Sequence, residues 1–199
     1  MASTSRNTKS GKPKRSYFRR LLQLVAVIAF GTLIYAGWFW FEMRSWKPET
    51  ALYPEQGAVI ASGTPGVRFE TLKAVGASFV YLELGAAGAP PDPGFRQRLE
   101  AALEAGLKVG IVQAFDPCRK ADPHSAKFAR MVARNEDLLP PALALARLPN
   151  ACPSRVSDAA VASEVFTLVN QLELHSGTPV ILKLEVEFES RFRLAASLD

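Results

Sequence analysis

Histidine and cysteine, which serve most often in nucleophilic catalysis and metal binding, are scarce in this sequence. Its 199 residues hold two of each: His124, His175, Cys118 and Cys152. The CxxC, HExxH, P-loop and dinucleotide-binding motifs are all missing. We therefore predict no metal site and no cofactor, and we expect both histidines to lie on the surface, in or near predicted helices.

Charge is absent from one long stretch, residues 21–41 (LLQLVAVIAFGTLIYAGWFWF). As a helix it extends about 31 Å at about 1.5 Å per residue, close to the hydrocarbon thickness of a bilayer. Tyr35, Trp38, Trp40 and Trp46 lie towards its far end, where aromatic rings favour the membrane interface. The stretch predicts a transmembrane helix. The alternative is a cleaved signal peptide, which the length of the run and the lack of an A-x-A-like site argue against.

Acidic residues are missing from the segment that precedes this helix. Residues 1–20 carry seven Lys and Arg and no Asp or Glu. By the positive-inside rule this basic segment stays in the cytoplasm and the chain after the helix lies outside. Residues 1–45 carry a net charge of +7 against +5 for the whole chain, so the remainder is about −2 and shows no basic patch for nucleic acid. The sequence thus predicts an inner-membrane protein with a periplasmic or otherwise extracytoplasmic domain.

A spacer at 42–56 and one domain at 57–199 follow the predicted membrane helix. Within the domain, short apolar runs alternate with amphipathic helical stretches. Strands are predicted at 57–61, 78–84, 107–114, 142–145 and 179–184, and helices at 67–75, 93–105, 124–133, 158–175 and 189–197. This alternation predicts right-handed βαβ units and a parallel sheet. The fold class is therefore α/β, as an open sheet or as a partial or complete barrel, which periodicity does not distinguish.

Several segments of the domain follow the order and spacing of a known set of motifs. Residues 69–81 (FETLKAVGASFVY) match W-x-x-V-K-x-x-G-x-x-F-V-Y, and residues 92–95 (DPGF) with 101–110 (AALEAGLKVG) match D-P-x-F and A-x-x-A-G-L-x-x-G. Residues 139–141 (LPP) and 179–182 (PVIL) match later landmarks. Together they resemble glycoside hydrolase family 25, the Chalaropsis-type muramidases, over about residues 57–198. The resemblance implies a TIM-like, glycosidase-type (β/α) barrel. The family's last three strands are not seen before Asp199, so we expect a barrel open at one edge, or a fragment.

Glycosidases need carboxyl groups beside the scissile bond, and the matching positions here carry none. The family has acids in G-I-D-V-S, K-A-T-E-G and P-P-x-L-D-L-E, where this sequence has Val59, Ala86, Ala144 and Ala146. Alanine and valine transfer no proton, so the resemblance implies a pseudoenzyme.

An active hydrolase would need relocated acids. Glu83 lies in an otherwise apolar predicted strand, and Asp116 follows strand three. Glu185 and Glu187 follow strand five. Catalytic residues of such barrels lie at these carboxyl ends of strands, so Glu83 and Asp116 are the candidate acids. The alternative for each is a solvated carboxylate at the rim.

Cys118 and Cys152 follow predicted strands three and four, which neighbour each other in a parallel barrel. An oxidising exterior permits a disulfide between them, and the alternative is two buried thiols.

The sequence predicts a membrane-anchored, lysozyme-like domain that acts at cell-wall peptidoglycan, is degenerate in catalysis and serves in glycan binding or scaffolding. The alternatives are an active muramidase with relocated acids, and a truncated remnant or interaction module whose open barrel edge is covered by a protein partner.

Overall fold

The computed structural model describes residues 14–45, 49 and 51–197. These residues fall into two compact units, divided after Leu52. Residues 1–13 of the predicted basic segment and Trp46 of the predicted spacer lie outside the described residues.

The first unit is one long helix, α1 (Lys14–Ser45). Its stretch Arg20–Arg44, 25 residues with a mean hydropathy of 1.9, is long and apolar enough to cross a membrane. A membrane anchor and a signal sequence share these properties. The helix extends beyond the predicted span at both ends, so the first four residues of the predicted spacer, 42–45, are helical.

The second unit alternates strands with helices, as the sequence predicts. The strands are β1 (Gly57–Ile60), β2 (Phe79–Glu83), β3 (Lys108–Ala114), β4 (Ala142–Leu145) and β5 (Ile181–Leu184). The helices are α2 (Phe69–Ala74), α3 (Phe95–Glu104), α4 (Ala121–Met131), α5 (Asp158–Ser176) and α6 (Val186–Phe192). Two short 3₁₀ turns lie at Pro149–Ala151 and Ala195–Ser197.

The five strands form one parallel sheet in the order β1-β2-β3-β4-β5. Right-handed crossovers in sequential order place helices α2–α6 on the same face of the sheet. That face holds the buried core, in which strand residues such as Val80, Leu82 and Leu143 are packed with helix residues such as Phe95 and Leu168. The result is an α/β half-barrel, which confirms the predicted fold class.

The opposite face of the sheet, here called the inner face, lies away from helices α2–α6. It is made by the side chains that alternate with the core residues along the strands: Val59, Tyr81, Glu83, Gly110, Val112, Ala114, Ala142, Ala144, Ile181 and Lys183. Val59 and Ile181 are about half exposed there, at 53% and 48%.

Local signals set the ends of α5. The Ser157 hydroxyl accepts a hydrogen bond from the Ala160 amide at 3.2 Å, which is the usual N-cap contact. Gly177 ends the helix with φ +77°, a left-handed conformation that glycine adopts without steric cost. The predicted helix at 158–175 is therefore found almost unchanged.

Two helix predictions are wrong at their ends because distant residues decide them. Helix α4 begins at Ala121 rather than 124, since the Glu164 carboxylate accepts a hydrogen bond from the Ala121 amide at 2.7 Å. Helix α6 runs from Val186 to Phe192, whereas 189–197 is predicted. Its Phe188 is buried against Phe115 of the loop after β3, which fixes the earlier start.

Candidate functional site

The carboxyl ends of the five strands meet at one edge of the sheet, and the candidate acids of the domain lie there. In parallel α/β folds this edge carries the functional loops, because every strand delivers its following loop to the same side. The loops after β1, β2, β3 and β4 all contribute residues to it. We call it the carboxyl edge.

Glu83 is the last residue of β2 and lies half-buried on the inner face. Its Oε2 accepts a hydrogen bond from the Ser62 amide at 3.0 Å, which joins β2 to the loop after β1. Among the described residues, no hydrogen bond to its Oε1 is found. Glu83 is thus placed as the sequence predicts, with one carboxylate oxygen engaged.

Asp116, two residues beyond β3, is buried, which differs from a solvated rim carboxylate. Its Oδ1 lies 3.1 Å from Arg147 Nη1 and accepts a hydrogen bond from the Cys118 amide at 3.2 Å. Its Oδ2 lies 3.7 Å from Arg119 Nε. The carboxylate therefore holds two arginines from the loops after β3 and β4.

Among the described residues, the two candidate acids have different partners and make no hydrogen bond to each other. Glu83 is in register with Val112 of β3, and Asp116 lies four residues farther along the chain. Each makes its own contacts, Glu83 with the Ser62 amide and Asp116 with arginines.

The four positions that match the family's acids lie on the inner face or in the loops of the carboxyl edge. Ala144 is in register with Ala114 and Lys183, and Val59 is in register with Tyr81. The other two, Ala86 and Ala146, are exposed in the loops after β2 and β4.

The two remaining acids follow β5. Glu185 directly precedes α6, and its Oε1 lies 3.9 Å from Lys183 Nζ. Glu187 lies in the first turn of α6 rather than in a loop, which corrects its predicted location. Both are exposed.

Asp92, whose side chain is almost fully buried at the same edge, has no role predicted from the sequence. It accepts hydrogen bonds from the Arg98 guanidinium, from the Gly63 amide and, at 2.8 Å, from the Gly94 amide. The hydrogen bond from Arg98 is the main cause that lowers the pKa of Asp92, and the two amides act in the same direction. Its DPGF motif was noted in the sequence as a landmark, but a bond to Gly63, 29 residues away, has no local signal.

The prediction that both histidines lie on the surface is wrong for His124, which is buried. Its ring packs 5.6 Å from the Phe115 ring, and its Nε2 lies 3.2 Å from the Asp116 carbonyl oxygen. Burial lowers the pKa of His124. His175 is half-buried, with Nε2 2.9 Å from the Val132 carbonyl oxygen. The rings of both histidines lie close to backbone carbonyl oxygens, and His124 is the buried one of the two.

Cys118 and Cys152 form a disulfide, with a Cα–Cα distance of 5.2 Å, so this prediction is confirmed. The bridge ties the loop after β3 to the loop after β4, next to both arginines. Above the arginines lies an open cleft of about 600 Å³, bounded by Gly88, Arg119, Arg147 and Ser154. Among the described residues, no group of three or more His, Cys, Asp or Glu side chains is placed to hold a metal ion.

The five-stranded parallel sheet and its helices define the class of the domain as an α/β half-barrel, and comparison with solved structures gives the particular fold. A family 25 glycosyl hydrolase from Bacillus anthracis is similar at a TM-score of 0.62, with 23% identity over 68% of this chain and 63% of its own. A muramidase from Acremonium alcalophilum is similar at 0.60, with 18% identity over 68% of this chain and 67% of its own. A lysozyme from Streptomyces coelicolor is similar at 0.57, with 17% identity over 64% and 61%.

The predicted resemblance to glycoside hydrolase family 25 is thus confirmed at the level of the fold. The matched region spans 63% of the length of the Bacillus anthracis protein. No family model matches the sequence, and no curated protein matches it.

Proposed function

We propose that this chain is a membrane-anchored, lysozyme-like domain that binds the glycan of peptidoglycan outside the cytoplasmic membrane and does not cleave it. Support for the ligand comes from the fold, which is similar to a family 25 glycosyl hydrolase, a muramidase and a lysozyme. Support for the anchor comes from α1, whose apolar stretch follows a basic segment.

The observation that carries the non-catalytic part is the composition of the carboxyl edge. Glycoside hydrolysis in families with two catalytic carboxyls places them about 5–9.5 Å apart across the scissile bond. Here Ala144 of β4 and Ala146 of the loop after β4 stand at the positions of the family's paired acids, and the buried Asp116 is held by two arginines. General acid–base assistance is worth about 10²–10⁴ in rate, so its loss leaves little turnover.

The test uses the full-length chain in detergent with purified peptidoglycan sacculi. We expect co-sedimentation with the sacculi and no release of reducing ends. Failure to sediment would overturn the glycan-binding proposal, and reducing ends above the blank would overturn the non-catalytic part. A chain carrying both Ala144→Asp and Ala146→Glu tests the same point in reverse, because restored acids on a glycan-binding edge should return measurable turnover.

An active muramidase is the second candidate, and one observation favours it. Glu83 lies half-buried on the inner face, and its Oε1 accepts no hydrogen bond among the described residues. Under this alternative, Glu83→Gln abolishes release of reducing ends, while Glu70→Gln on the exposed surface of α2 does not. Asp116→Asn is the parallel test for the other candidate acid. Activity that survives Glu83→Gln and Asp116→Asn would direct attention to Glu185 and Glu187.

The exposed edge-strand residues of the inner face favour a scaffolding role alongside glycan binding. Val59 on β1 and Ile181 on β5, the two edge strands of the sheet, are about half exposed. A parallel sheet is normally covered on both faces, so a protein partner at this face would bury them. Under this alternative, the purified chain alone has a low melting temperature that a partner raises.

A further inference from the structure

We propose that the cleft between the loops after β2, β3 and β4 is a binding site for a carboxylate group, recognised by Arg119 and Arg147. This inference deepens the proposed function and rests on it for the identity of the ligand, a carboxylate carried by peptidoglycan sugar or its peptide. It assigns a role to residues that the family motifs do not include.

The charge in the cleft is positive although a carboxylate lies at its base. Asp116 neutralises one of the two guanidinium groups, so the three residues together keep a charge of about +1. Lys127 of α4 lies near this group, since its pKa is lowered first by burial and then by the positive charge of Arg119, while Asp116 raises it. The cleft thus attracts an anion.

The arginines keep unused donors that face a ligand-sized space. The closest approach of the Arg119 guanidinium to Asp116 is 3.7 Å, from Nε to Oδ2, and among the described residues no hydrogen bond from the Arg119 side chain is found. Arg147 uses Nη1 for Asp116 and Nη2 for the Ala151 carbonyl oxygen, at 3.4 Å. Since a guanidinium carries five N–H donors, both arginines can bind a second carboxylate. Their side chains are 56% and 34% exposed, so that a ligand can reach them.

The loops that carry the two arginines are linked before any ligand binds, and Arg147 is closely packed. The disulfide joins Cys118, the neighbour of Arg119, to Cys152, the neighbour of the Ala151 carbonyl that Arg147 contacts. Gly88, with φ +75°, passes so close that a Cβ there would lie 2.7 Å from Asp116 Oδ2 and 3.0 Å from Arg147 Nη1. A preorganised site loses less conformational entropy on binding, so it binds a ligand more tightly than the same arginines would on a mobile surface.

Peptidoglycan offers this chemistry from two sources. One is the lactyl carboxylate of N-acetylmuramic acid, which is free only where the peptide has been removed. The other is a carboxylate of the peptide itself. Three small probes separate them. N-acetylmuramic acid carries the free lactyl carboxylate. Muramyl dipeptide has that group as an amide but carries a carboxylate on its peptide, and N-acetylglucosamine is neutral.

The experiment measures the affinity of the full-length chain in detergent for each probe by ligand-observed NMR. We expect one of the two acidic probes to bind at least about tenfold more tightly than N-acetylglucosamine. Changing both arginines to glutamine should remove that preference. Changing both to lysine should retain part of it, because lysine keeps the positive charge but lacks the paired N–H donors with which a guanidinium binds both carboxylate oxygens. Arg130→Gln, an exposed substitution at the other end of α4, is the matched control and should have no effect.

Equal affinity for acidic and neutral probes would overturn the inference, as would an acidic preference that survives loss of both arginines. Melting curves of the variants exclude unfolding as the cause of a lost preference. The proposed function fails separately: if the acidic probe binds through the arginines but sacculi do not sediment the chain, the carboxylate site stands and the peptidoglycan assignment falls.

Discussion

The Cys118–Cys152 disulfide is the covalent link between two loops of the carboxyl edge, and its removal should measurably destabilise the domain. The bond closes a loop of 34 residues in sequence separation. In the chain-entropy treatment a loop of this length restricts the unfolded state by about 4 kcal/mol at 25 °C, as an upper estimate. For a domain of this size, that free energy corresponds to a fall in Tm of about 8–15 °C.

The assay is urea unfolding of the chain in detergent, in which circular dichroism monitors the loss of folded structure in the sheet domain. The perturbation is the double substitution Cys118→Ala and Cys152→Ala, compared with the wild type in the presence and absence of dithiothreitol. We expect the reduced wild type and the double variant to lose similar free energy, about 2–4 kcal/mol, and reductant to have no further effect on the variant.

Two results would refute the reasoning. Free thiols that alkylate without reduction in exported protein would show that the bond does not form. A double variant within about 0.5 kcal/mol of the oxidised wild type would show that the linked loops are already restrained in the unfolded state.

Three further predictions follow from other parts of the molecule. Asp92→Asn should lower the free energy of unfolding by about 1–3 kcal/mol at pH 7, because it removes a hydrogen-bonded carboxylate. The folded-state pKa of Asp92 is below its ordinary value of 3.8. The difference in the free energy of unfolding between variant and wild type is therefore largest above pH 3.8 and is lost as the pH falls through the folded-state pKa. Urea unfolding measured at a series of pH values from 7 to 2 checks this. Leu168→Ala, in the buried core, should lower the free energy of unfolding by about 2–5 kcal/mol. Thr167→Ala, on the exposed face of α5, should lower it by less than about 1 kcal/mol, and urea unfolding measures both. A periplasmic reporter fused after Asp199 should be active and a cytoplasmic one silent, and the reverse would overturn the predicted topology.

The sequence alone determined the order and type of elements, because those depend on neighbours close in the chain. Alternating apolar runs and helical stretches predicted all five strands. The ends of α5 depend on contacts of neighbouring residues, the Ser157 hydroxyl and the left-handed backbone of Gly177, and the predicted helix there is found almost unchanged. The 21-residue uncharged run predicted α1. The order of motifs was enough to indicate the family fold, even though no family model matches the chain.

Tertiary structure alone decided which side chains meet at the carboxyl edge. The burial of His124, the three hydrogen bonds to Asp92 and the two arginines on Asp116 all depend on the paths of loops between strands. Such contacts join residues up to 31 positions apart, across loops whose course no local preference specifies. Asp116 shows the physical reason: the same carboxylate is a solvated rim acid in an isolated loop, and becomes a buried anchor only when the sheet brings Arg147 beside it.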